Sequence, residues 1–135
     1  MLGGLAATAA ATQNNSAPTL TGVWDFSSSD GAGVFDLTQA GPNITGQIVS
    51  DWECSGFAQL PCPYACTGAI NGPNVRLDCI NHSGVIYLRP CSTGTHVLAG
   101  QIISMLANSA LNHMTGTEAG RCDPGTVPAT MTKRP

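Results

Sequence analysis

Short runs of alternating apolar and polar residues, cut by turns that carry Gly, Pro and Asn, fill most of this chain. Residues 20–27 predict a first strand, and Asp30-Gly31 within the turn at 28–33 is a hairpin signal. Residues 34–39 alternate, with Phe35, Leu37 and Gln39 on one face. A turn at 40–43 leads to a strand at 44–50 that places Ile44, Gly46 and Ile48 together. Further on, 67–70, the turn 71–74 and 75–79 form a strand–turn–strand unit in which Val75, Leu77 and Cys79 share a face. Residues 85–89 read as a strand stopped by Pro90. The longest expected strand is 95–104, with His96, Leu98, Gly100 and Ile102 on one side. A single helical turn or a loop is expected at 104–111, and strands at 111–117 and 127–133 finish the chain.

About eight short strands and no convincing helix belong to an antiparallel barrel or a sandwich. A recurring glycine chooses between them. Thr45-Gly-Gln-Ile48, Thr67-Gly-Ala-Ile70, Ala99-Gly-Gln-Ile102 and Thr115-Gly-Thr117 each place Gly early in a strand. Such a glycine weakens a strand unless the backbone must bend or be approached closely. Tightly coiled strands of a small barrel need that bend. The expected fold is therefore an all-β antiparallel meander barrel spanning 19–135, preceded by an arm at 1–18. Residues 51–66 interrupt the alternation, carry Pro61, Pro63 and three cysteines, and read as a long loop pinned by disulfides.

Composition narrows the function. Only 10% of the 135 residues are charged, against a usual ~25%, and the net charge is −3. Five basic residues make no patch able to neutralise phosphates, which argues against nucleic acid as a partner. No stretch approaches the ~20 apolar residues of a membrane-spanning helix. Residues 1–13 are small and apolar but lack the basic start of a complete signal peptide, so they are the tail of one or a mature arm.

Six cysteines, Cys54, Cys62, Cys66, Cys79, Cys91 and Cys122, are an even set with no Cys-x-x-Cys pair. They read as structural disulfides formed in an oxidising, extracellular compartment, with their connectivity open. Cys62 and Cys66 with one of His82, His96 or His113 are the alternative, a metal set, and the spacing supports it poorly.

Gly22-Val-Trp24, Leu37-Thr-Gln39, the Gly41-Pro-Asn43 turn, Ile44-Thr-Gly46, Met114-Thr-Gly-Thr117 and the closing Ala129-Thr-Met-Thr-Lys-Arg134 together carry a resemblance. The chain resembles a broad group of small secreted bacterial barrels similar in layout to lipocalins and avidins. The resemblance covers roughly 20–50 and 95–134, and the cysteine-rich middle departs from it. It implies a fold and not a function, because barrels of this kind host many roles.

Chemistry is sparse. There is no Gly-x-Ser-x-Gly elbow and no His-Glu-x-x-His, and the acidic pair Asp51 and Glu53 has only its spacing in its favour. Neither an enzymatic activity, a cofactor nor a metal is expected. Trp24 is expected to plug the closed end of the barrel. Trp52, Phe57 and Tyr64 in the atypical loop, with Leu2 and Leu5 of the arm, are candidates for a subunit contact or a ligand mouth. The expected function is an extracellular structural subunit that assembles with copies of itself, its arm docking on a neighbour. The alternative is a lipocalin- or avidin-like binder of a small molecule or glycan. The first predicts a filled barrel interior, and the second an open apolar cavity of roughly several hundred Å³.

Overall fold

A computed structural model describes residues 17–29, 31–51, 64–81, 88–90, 96–98, 100–120 and 125–135. Its strands are β1 (Gly22–Ser28), β2 (Gly31–Ala40), β3 (Asn43–Asp51), β4 (Tyr64–Asn71), β5 (Asn74–Asn81), β6 (Leu88–Pro90), β7 (His96–Leu98), β8 (Gly100–Ala107), β9 (His113–Gly120) and β10 (Val127–Lys133). Eight of them close into an antiparallel barrel in the order β1-β10-β9-β8-β5-β4-β3-β2, and β6 pairs with β7 in a separate ribbon. The barrel is a meander whose first and last strands meet, with Trp24 opposite Lys133 and Ser28 opposite Ala129. Closure leaves no barrel edge to which an arm can add a strand, so an arm can meet this barrel only across its outer wall or at its ends.

Alternation sets the core. Phe35 and Leu37 of β2, Ile44 and Ile48 of β3, Val75, Leu77 and Cys79 of β5, and Ile103 and Met105 of β8 are all buried and point inward. Gly46, Gly68 and Gly116 sit on the same inward rows. At Gly68 and Gly116 a Cβ would fall inside the van der Waals envelope of the neighbouring strand's carbonyl oxygen, from Arg76 and Ser104 respectively. The close approach of coiled strands is what the recurring glycine permits.

Four local expectations change. The hairpin between β1 and β2 is tighter than the turn at 28–33, because Ser28 pairs directly with Gly31. The long strand at 95–104 is two strands, β7 ending at Leu98 and β8 starting at Gly100. No helical turn follows Ser104: β8 runs on to Ala107 because Asn74 of β5 pairs with Leu106 on one side and Met114 of β9 with Ala107 on the other. The inward row of β8 is Gln101, Ile103 and Met105, so the row with Gly100 and Ile102 is the outer one.

Cys66 is the fourth. It belongs to β4 and not to the loop, where it lies opposite Cys79 of β5 and forms a disulfide with it inside the barrel. The bridge closes a short loop, since the two cysteines are 13 positions apart. Replacing both by alanine is expected to lower unfolding free energy by about 3 kcal/mol, read from the urea midpoint at unchanged m-value. The other four cysteines, Cys54, Cys62, Cys91 and Cys122, lie outside the described residues.

Candidate functional site

The two ends of the barrel are built differently. At one end the short turns at 41–42 and 72–73 and the loop at 108–112 gather with the N-terminal entry. Leu20 enters there fully buried, and Trp24, also fully buried, stands above it. Trp24 Nε1 donates to the Leu20 carbonyl at 2.8 Å, and Leu20 N donates to Gln39 Oε1 at 2.8 Å. Gln39 Nε2 donates to the Gly41 carbonyl at 3.0 Å, and Lys133 Nζ donates to the Thr19 carbonyl at 2.8 Å. Every polar group of Leu20 is thus paired while its side chain seals the base, as buried backbone requires. Gln39, read from sequence only as part of a strand face, is the clasp of this plug.

Just beyond the plug, Arg134 fastens the chain's end to Asp25 at 2.8 Å. The Arg134 hydrogen bond, and secondarily its charge, hold the Asp25 carboxyl below its ordinary value against a small desolvation effect. Both groups are exposed, so the pair contributes little to stability.

At the opposite end the inward rows turn polar. Glu118 and Gln101 are the only buried polar or charged side chains among the described residues. Ser28 Oγ donates to Glu118 Oε1 at 2.7 Å across the lumen end. Glu118 faces Ile103 on β8 and Val127 on β10, while Gln101 faces Gly120 on β9 and Cys79 on β5. Gln101 and Glu118 are therefore diagonal neighbours on adjoining strands, about 7 Å apart at the backbone. Gln101 Oε1 is buried and has no hydrogen-bond partner.

Three more polar residues hold row positions at this rim. Tyr64 pairs with Asn81 two positions beyond the Cys66–Cys79 pair. A register shift at Val34/Phe35 sets Asp51 opposite Gly33, which itself pairs with Phe26. By the two-residue period these backbone positions continue the inward rows.

No family model, no curated protein and no solved structure matches this chain. The site must be read from its own residues.

Of the candidates expected from sequence, Trp24 lies in the base and Tyr64 opens β4 at the polar rim. Leu2, Leu5, Trp52 and Phe57 lie outside the described residues. The imidazoles are not brought together: His113 is exposed on β9 with Nδ1 3.1 Å from Thr132 Oγ1, His96 is in β7, and His82 is outside the described residues. Among the described residues no three His, Cys, Asp or Glu side chains gather into a metal set. Gln101 and Glu118 are the residues that sequence reading missed. The signal was present at Gln101, whose position alternates with Ile103 and Met105.

The outer wall carries the largest described hollow, about 710 Å³, lined by Ala69, Asn74, Arg76, Ser104, Leu106 and Thr115. Leu106 at its lip is 56% exposed, which stands out on a wall made mostly of Thr, Ser, Asn and Ala. A smaller hollow of about 370 Å³ lies at the closed end beside Pro18, Ile70 and Leu111.

Proposed function

We propose that the protein is a non-enzymatic extracellular structural barrel that associates with copies of itself through its outer wall. The observation that carries this reading is Leu106, more than half exposed at the lip of the outer hollow. Large apolar side chains set in a concave surface are the usual anchors of protein contacts. The base of the lumen supports the same reading. Leu20, Trp24, Phe35, Leu37, Met114 and Met131 fill it completely, leaving the described concavities on the outside.

The contact is a face or an arm laid on a face, since closure rules out adding a strand to the barrel. Residues 1–16 carry no charged side chain, and with Leu2 and Leu5 they supply an apolar segment for such a contact. The described chain begins beside the smaller hollow, at Ala17 and Pro18.

Sedimentation velocity across a concentration series tests the reading. Species heavier than the 13.8 kDa monomer are expected, increasing with concentration. Leu106→Asp, and separately deletion of residues 1–16, are each expected to move the distribution towards monomer. A chain that stays monomeric at every concentration overturns the proposal.

A further inference from the structure

The polar end of the lumen is unused by association through the outer wall. We infer that it is a binding site for a small amine or guanidine head group, seated by Gln101 and Glu118 where the rows of β8 and β9 reach the open end.

The argument starts from Gln101. Its side chain is 6% exposed and its carbonyl oxygen has no donor. A buried amide oxygen left unpaired is costly, and folded chains rarely keep one without a donor from solvent or ligand. What is missing at Gln101 is a hydrogen-bond donor.

The surroundings decide the kind of donor. Glu118 is the diagonal neighbour, 5% exposed, and its carboxylate accepts from Ser28. An ionised carboxylate is acceptor-only and has about four lone-pair sites, so one bond from Ser28 leaves it able to accept more. An amide oxygen and a carboxylate on adjoining strands form a cradle for a group with several N–H donors. A positive charge on that group gains from the carboxylate in a low-dielectric lumen. Primary ammonium and guanidinium meet both demands, and an anion or a hydrocarbon meets neither.

The floor sets the size. Phe26, Ile48 and Ile103 are buried directly below the polar level, so only a head group enters. The walls at that level are small, with Ala129 on β10, Gly120 on β9 and Gly33 on β2. Anything longer must trail outward past the rim.

The experiment titrates the whole chain with methylguanidinium and with ethylammonium, and follows the side-chain amide resonances of Gln101 by NMR. Tetramethylammonium, which has the charge but no donor, is the control. Saturable movement of the Gln101 amide with either donor cation, and none with tetramethylammonium, is expected. Gln101→Met keeps the shape and removes the acceptor. It is expected to weaken binding at least tenfold while raising the melting temperature of the unliganded chain by ~3 °C, because it removes an unpaired buried group. The rise shows that the variant folds. Glu118→Gln is expected to reduce the preference for a charged over a neutral donor such as N-methylurea. The inference is overturned if neither cation gives a saturable shift, or if tetramethylammonium binds equally well. It is also overturned if Gln101→Met binds like the unaltered chain. None of these outcomes depends on whether the barrel self-associates, which sedimentation reports separately.

Discussion

Gly116→Ala is expected to cost about 4 kcal/mol, enough to leave much of the chain unfolded at room temperature. The reason is local and rigid. The added Cβ would meet the Ser104 carbonyl oxygen and the Met105 Cα, both backbone atoms of β8 held in the ladder with β9. A flexible side chain would swing aside, but a paired strand cannot move without breaking its bonds on both sides. Gly41→Ala supplies the contrast. Gly41 sits at φ 60 in the β2–β3 turn, with nothing within 4 Å of an added Cβ. Its cost is backbone strain alone, about 1 kcal/mol. Urea unfolding of the two variants side by side is the measurement. Equal midpoints would mean that the strands do not approach as closely as the fold requires.

Trp24→Ala is the second large effect, also about 4 kcal/mol. Trp24 is fully buried, touches the base of the core, and holds the Leu20 carbonyl through its indole N–H. Trp24→Phe separates the two contributions. It keeps most of the apolar volume but strands the Leu20 carbonyl, and about 2 kcal/mol is expected. Calorimetric melting of the three proteins reads the series. A Phe variant as stable as the original would show that the hydrogen bond contributes nothing and that only volume matters at the base.

The two sets of substitutions test different parts of the fold. Gly116 reports on how tightly the wall is coiled, and Trp24 on how the lumen is closed. Neither touches the polar rim, so neither bears on ligand binding there. The loss of the Cys66–Cys79 bridge lies between them, at the level where the apolar core gives way to Gln101.

Much of this was written in the chain, and the parts that were not share a cause. Phe35 with Leu37, Ile44 with Ile48, and Val75 with Leu77 and Cys79 could be assigned to faces from sequence, because the two-residue period is a property of the strand itself. The glycines of the Thr-Gly motifs could be assigned to curvature for the same reason. Their place in the chain is local, and so is the chemistry that makes them necessary.

The stretch 102–107 was less legible. Ile-Ile-Ser-Met-Leu-Ala suits a helix as well as a strand when taken alone. It is a strand because β5 and β9 flank it and complete its backbone hydrogen bonds, and both partners lie well away in sequence.

Sequence alone therefore determined the class of this protein: alternating strands, coiled by glycine, low in charge and rich in cysteine. Tertiary structure alone decided that Cys66 meets Cys79 among the many pairings six cysteines allow, that Gln39 clasps the base, and that Gln101 and Glu118 meet at the other end. Strand faces follow from neighbours in the chain. Which residues share a level of the barrel follows from register and closure, which no strand can set without its partners.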